Sequence, residues 1–423
     1  MRGTRPRRGL TFAKLIGSGV VTGAADDDPS AIGTYASAGA RYGLGLLWMT
    51  PVVLPMMFTV VYLSAKLGQV SGRGLFHAIR DYYPRWIVYV TLVGVCIGNT
   101  IEAAADLGGM AAAINLFVPL PIPLLVAIVA CIVLALQVLG SYELIRKTFR
   151  WLALALFAYI AAALLSKPDI PAVLRATLVP RVEFNADFLM LLVAIIGTSL
   201  SAYLFTWQSN QEVEEQIAEG KTTVAERKGA TEHELREKRK DVLTGMVFSS
   251  LIMYSIMLST GTVLHPAGTT NIETAAQAAE ALRPVAGDAA AVLFAVGVIG
   301  VGFVAIPIMT AGAAYDLAQT VGWKATLTAR PRQAKEFYFA IGGFTLAAVG
   351  LNFVGINPIR ALVFAGVVQG FSTPPLLLMI MLMTNNRRIM GDKVNTPMLN
   401  VLGWVTTAAV FAASACLIVS WFI

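Results

Sequence analysis

The sequence predicts an all-α integral membrane protein with eleven transmembrane helices. Ten of them form two inverted five-helix repeats in which helices 1 and 6 are broken in mid-membrane, and one is added at the end. Three observations carry this reading. The chain is 57% hydrophobic and only 13% charged, whereas soluble domains carry about 25% charged residues. Apolar runs recur along the whole length, each near the roughly 20 residues that a helix needs to cross a hydrocarbon core about 30 Å thick. Two of those runs, five apart, are interrupted at their centres by polar residues.

In order, the spans fall near 12–41, 44–68, 86–112, 121–140, 150–166, 186–211, 242–264, 288–311, 335–353, 359–384 and 398–421. Short basic loops stay cytoplasmic. An inside N-terminus, bearing Arg2, Arg5, Arg7, Arg8 and Lys14, puts Arg73, Arg80 and Arg85 inside as well. Arg146, Lys147 and Arg150 follow on that side, as do Lys324, Arg330, Arg332 and Lys335, and then Arg387, Arg388 and Lys393. The connection from Asn115 to Ile122 has no basic residue, and the one before span 10 has only Arg360. The C-terminus is then outside. The expected location is a bacterial inner membrane, with the lipid bilayer as the surrounding partner and oligomeric state left open.

The net charge of +7 is spread over these loops as orientation requires, so nucleic acid is not an expected partner. Cys96, Cys131 and Cys416 all lie within spans, which argues against a disulfide framework or a cysteine metal site. The Arg-rich start precedes no small-residue cleavage site, and span 1 is read as retained.

The chain 1–423 reads as a single transmembrane domain. Repeat one covers about 12–166, repeat two about 186–384, and the additional helix about 398–421. One hydrophilic insertion, 212–241, holds nine acidic and seven basic residues. Pairs such as Glu234 with Lys238 and Glu232 with Arg236 suit a solvated cytoplasmic helix.

Span 1 breaks at Gly23-Ala24-Ala25-Asp26-Asp27-Asp28-Pro29-Ser30, and span 6 at Gly197-Thr198-Ser199-Leu200-Ser201-Ala202-Tyr203. An odd spacing inserts the two broken helices from opposite sides, as inverted repeats require. Backbone groups freed at a break persist in hydrocarbon only where they line a cavity or bind a solute. Half-helix N-termini suit anions; unwound carbonyls suit cations.

Three adjacent aspartates at membrane depth cost roughly 2.5–3.5 kcal/mol each on insertion scales. Asp28 is the expected ligand, because Pro29 disfavours helical geometry at the residue before it and frees nearby carbonyls. Asp26 and Asp27 then serve coupling or a cation path; the alternative is that the triplet merely caps a wet helix end. In span 3, Asn99, Glu102 and Asp106 fall at i, i+3 and i+7 and share a face. That stripe is either a proton or cation path or a set of packing ion pairs. Span 8 adds Thr310, Tyr315 and Asp316; span 10 adds Gln369, Ser372 and Thr373 ahead of Pro374 and Pro375. Isolated polar groups of this kind often join membrane helices rather than bind solute.

No phosphate-binding lysine loop, paired metal-binding histidines or nucleophile elbow is present, and His77, His233 and His265 fall in predicted loops. The expectation is a non-enzyme without a cofactor, driven by an ion gradient.

At Asp28-Pro29, at Tyr35-Ala36-Ser37-Ala38-Gly39-Ala40-Arg41-Tyr42-Gly43 and at Asn386-Arg387-Arg388-Ile389-Met390-Gly391, the chain resembles the Nramp (natural resistance-associated macrophage protein) family of proton-coupled metal transporters. The likeness extends over nearly its full length. It implies an inverted-repeat fold of the amino-acid/sodium symporter type, with eleven or twelve spans and a solute site between the breaks of spans 1 and 6. Asp28-Pro29 matches the first half of the family's Asp-Pro-Gly-Asn motif, whose Gly-Asn is here Ser30-Ala31. The family's Met-Pro-His-Asn is replaced by Ser201-Ala202-Tyr203-Leu204, and a later histidine by Gln208. Its Asp-Leu-x-Glu becomes Asp106-Leu107-Gly108-Gly109, while Glu102 stands elsewhere. The chain thus resembles a divergent branch without the methionine thioether that helps select transition metals.

Two substrates fit. A hard divalent cation, Mg²⁺ or Mn²⁺, would be held partly hydrated by Asp28, carbonyls near Ala25 and Thr198, and the hydroxyls of Ser30 and Ser201. A small oxyanion such as bicarbonate would use Ser199, Ser201, Tyr203 and half-helix amides, with Na⁺ or H⁺ at the aspartates. Gln208, Thr310 and Gln369 are secondary candidates. The costly carboxylates favour the cation. A channel-like or receptor protein on the same fold is the third class.

Overall fold

A computed structural model of the chain describes residues 22–23, 25–139, 156–325, 327 and 331–422. These residues are mostly helical, with no β-strand among them. The N-terminal part of predicted span 1, Ala24, the end of span 4 and the start of span 5 lie outside the described residues, as do the basic residues of the N-terminus and of the loop at 146–150.

Among the described residues, twelve helices carry the architecture. They are α1 (Pro29–Tyr42), α2 (Met49–Ser71), α3 (Arg85–Asn115), α4 (Ile122–Leu139), α5 (Phe157–Leu165), α6 (Ala186–Ser199), α7 (Ala202–Ala218), α8 (Glu232–Val263), α9 (Ala290–Val321), α10 (Lys335–Leu351), α11 (Pro358–Thr384) and α12 (Pro397–Ser420). Among the described residues, eight spans are long and apolar enough to cross a membrane, taking α6 and α7 together as one.

Both expected breaks are present. A helical turn reaches Asp26, Asp27 bends, and Asp28 is extended (ψ 173°) before α1 begins. Pro29 explains the position. It has no N–H to give to a continuing helix and excludes helical geometry at the residue before it, yet it suits the first turn of a new helix. In span 6, α6 ends at Ser199, Leu200 leaves helical geometry (φ −119°, ψ 36°), and Ser201 is extended before α7.

The second half of each broken helix packs along the second helix of the other repeat: α1 on α8, and α7 on α2. Small residues make both approaches possible. A Cβ on Gly39 of α1 would overlap the Met257 carbonyl of α8, and one on Gly68 of α2 would overlap the Ser209 carbonyl of α7. The long helices α3 and α9 cross behind the breaks, and α11 lies against both α3 and α6. Phe339, Leu346, Val401 and Val405, on α10 and α12, face outward, as lipid-facing positions should.

The insertion 212–241 is not a uniformly solvated helix. Its first residues continue α7, Val224–Arg227 forms a short helix closed by a Thr223–Glu226 capping box, and α8 opens on a second box, Thr231 with Glu234. The expected pairs within one helix give way to contacts between helices. Lys238 reaches Glu212 at 2.9 Å and Glu215 at 3.3 Å on α7, and Glu232 meets Lys393 at 2.6 Å. Glu212 is buried, because α7 packs along α2 and brings it against Gly68. His77 and His233 are helical, within Leu75–Tyr82 and the first turn of α8, rather than in loops.

Candidate functional site

Where the two breaks meet, three carboxylates are completely buried around one serine. Asp28 is the N-cap of α1, and its Oδ1 accepts the Ala31 amide and the Ser30 hydroxyl, each at 2.7 Å. The Ser30 oxygen also lies 3.3 Å from Glu102 Oε1 and 3.2 Å from Thr198 Oγ1. The Ser30 amide donates to Asp106 Oδ1 at 2.9 Å. A single residue thus links Asp28 on the first break to Glu102 and Asp106 on α3.

Glu102 is tied to three other helices. Ser201 donates to its Oε1 at 2.9 Å, and Gln369 of α11 donates to its Oε2 at 2.6 Å. Gln369 also reaches Asn99 Oδ1 at 3.2 Å, while its own Oε1 lies 3.4 Å from the Ala202 amide. Tyr203 donates to the Ala25 carbonyl at 2.7 Å and approaches Asp28 Oδ2 at 3.1 Å. One phenolic proton therefore sits between the two oxygens expected to hold a cation.

No lysine, arginine or histidine among the described residues bonds to Asp28, Glu102 or Asp106. The second oxygen of Asp106 and the amide nitrogen of Asn99 have no hydrogen-bond partner. Buried ionised groups are tolerable only when paired or coordinated. When ionised, the cluster therefore calls for positive charge, and an anion could join it only together with a cation. Among the described residues, no three His, Cys, Asp or Glu side chains are placed to enclose a metal by themselves. What the site offers instead is carboxylate, carbonyl and hydroxyl oxygen, the donor set of a hard, partly hydrated ion.

The remaining expected residues separate into other groups. Asp26 and Asp27 share the hydroxyl of Ser249 on α8, at 2.5 and 3.3 Å, and each keeps one oxygen without a partner. Ser249 escaped the sequence reading; its only signal is a pair of serines amid the apolar run of span 7. Ser199 turns away from the cluster to the hydroxyl of Tyr35 at 2.7 Å. Gln208 joins Thr22 at 2.6 Å to Glu212 at 2.7 Å. Thr310 accepts from Gln137 at 2.9 Å and so joins α9 to α4.

Residues 19–420 match the sequence model of a family described as natural resistance-associated macrophage protein-like, Nramp. A divalent metal cation transporter, MntH of Deinococcus radiodurans, is 27% identical over 425 residues, covering 99% of this chain and 92% of that protein. Among solved structures, a manganese transporter of Eremococcus coleocola is similar with a TM-score of 0.71 at 18% identity, covering 98% of this chain and 88% of that one. Mhp1, a nucleobase-cation-symport-1 family transporter, gives 0.55 at 13% identity, covering 99% and 96%. These two likenesses establish the inverted-repeat fold with its broken helices.

Proposed function

The chain belongs to the Nramp family, and from that premise we propose that it is a secondary transporter of a hard divalent cation, Mg²⁺ or Mn²⁺. The observation that carries the reading is the set of three buried carboxylates, Asp28, Glu102 and Asp106, joined through Ser30 without a basic partner among the described residues. Divalent charge offsets them; an anion alone would add to their repulsion. Relatives named as divalent metal cation transporters support it.

In this proposal the cation is bound by Asp28 Oδ2 and the Ala25 carbonyl once the Tyr203 hydroxyl turns aside, with Ser30, Ser201 and the Thr198 carbonyl completing the site directly or through water. Among the described residues no Met, Cys or His side chain hydrogen-bonds to the cluster, so soft-ligand selection of a transition metal has no agent among them. Asp106, Asp26 and Asp27 are the proposed path of the driving ion, H⁺ or Na⁺. The N-terminus is placed in the cytoplasm and the C-terminus outside.

A second reading, Na⁺- or H⁺-driven uptake of a small oxyanion such as bicarbonate, has one observation in its favour. Ser201 heads α7 without capping it, which leaves the first amides of that half-helix lightly engaged. Proteoliposome flux decides between them. The proposal expects accumulation of Mn²⁺ or Mg²⁺ above equilibrium under an imposed ion gradient. Accumulation of labelled bicarbonate with no divalent flux would establish the alternative, and uncoupled conductance would make the protein a channel.

A further inference from the structure

A fourth buried carboxylate stands apart from the cluster. Asp316 of α9 is fully buried, and neither of its oxygens has a hydrogen-bond partner of ordinary geometry. The Thr206 hydroxyl of α7 stands beside it but lies 3.3 Å from the Tyr203 carbonyl, and Cys96 of α3 is within its electrostatic reach. An isolated carboxylate at such depth is costly enough to be removed unless something uses it.

Its surroundings point to that use. Tyr203, Thr206 and Asn210 follow one another at helical spacing along α7. Tyr203 touches Asp28, Thr206 adjoins Asp316, and Asn210 accepts from Gln319 of α9 at 2.7 Å. The Asn210 amide nitrogen is itself buried without a partner. One turn further, Tyr315 donates to Glu214 at 2.8 Å. The contact between α7 and α9 is therefore a polar seam. It leads from the central site to the helix ends at Ala218 and Val321, which are cytoplasmic in the proposed orientation.

We infer that Asp316 is a second, transient site for the transported cation, one to two turns inward of the central site along this seam. The inference rests on the proposed divalent-cation function. A single carboxylate with a hydroxyl and water is a weak site, which suits a station that must release its ion.

The test measures Mn²⁺ binding at equilibrium and Mn²⁺ flux in proteoliposomes for the wild-type protein, Asp316→Asn and Asp316→Glu. Asp316→Asn should bind Mn²⁺ with an affinity within about threefold of wild type while its maximal flux falls about tenfold or more, and Asp316→Glu should restore a substantial part of that flux. Wild-type flux in Asp316→Asn overturns the inference, as does a parallel loss of binding and flux in both variants. Recovery of Asp316→Asn flux by a change of internal pH overturns it too, since that would make the residue a proton carrier. If the wild-type protein moves no divalent cation, the functional proposal has failed instead. If Asp316→Asn does not fold, Thr206→Val provides the second variant, with the same separation of binding from flux expected and the same outcomes overturning it.

Discussion

At the first break the chain finishes its new helix with its own carboxylate: Asp28 accepts the Ala31 amide, and Pro29 removes a donor that would otherwise need a partner. At the second break Ser201 holds the equivalent position but does not cap α7; its hydroxyl turns to Glu102 instead. Both begin a half-helix at mid-membrane, yet one brings negative charge and the other brings donors. The repeat supplies two similar backbones, and the side chains at the two breaks divide the work of holding an ion between them.

Asp28→Asn breaks this comparison most severely. Asparagine caps a helix about as well as aspartate, so α1 should keep its place and the melting temperature should stay near that of wild type, while cation uptake is lost. Retained uptake would move the ligand role elsewhere. Gly197→Ala acts on the second break by packing: its Cβ would overlap the Gly366 carbonyl and the Gly370 amide of α11. The expected cost is roughly 1–3 kcal/mol of stability, read as a lower unfolding midpoint in detergent. An unchanged midpoint would show that α6 and α11 are less closely apposed.

Ser201→Ala sharpens the contrast at smaller scale. Because Ser201 does not cap α7, its removal should cost only about 0.6 kcal/mol, as for a typical hydrogen bond between membrane helices. Uptake should nevertheless fall several-fold through a weaker apparent affinity, measured by varying the cation concentration. The smallest effect lies outside the membrane. The Thr223 amide and hydroxyl hold the Glu226 carboxyl below its ordinary range. A depressed folded-state value means that this contribution is complete above the unfolded value and fades as pH falls through the folded one. Protection of the 222–228 segment, measured as hydrogen exchange relative to the intrinsic rate at each pH, should fall in that acidic window, and Glu226→Gln should remove that loss of protection.

The contrast also bears on what could be read from residues alone. Both breaks were legible, because hydrocarbon tolerates polar residues with proline or glycine in mid-span only where the helix is interrupted around a cavity or a bound solute. The shared face of Asn99, Glu102 and Asp106 was legible from helical spacing. Which groups meet across helices was not. Glu102, expected on a path beside the site, lies within it because α3 turns that face toward Ser30 and Ser201. Gln369 belongs to the same cluster, whereas Ser199 faces Tyr35 and Thr310 faces Gln137. The charged insertion misled for the same reason. Its composition resembles a solvated helix, and only the fold sets Glu212 against Gly68 of α2 and within 2.9 Å of Lys238. Rotation of one helix about its axis, fixed by packing against neighbours far away in sequence, decides each case.

The central claim is that a divalent cation sits between the two breaks, and anomalous diffraction from crystals grown with Mn²⁺ tests it most directly. The account predicts one strong peak within about 2.0–2.6 Å of the Asp28 carboxylate and the Ala25 carbonyl, absent in Asp28→Asn. A wild-type map without that peak, or with an oxyanion at the Ala202 amide instead, would contradict it.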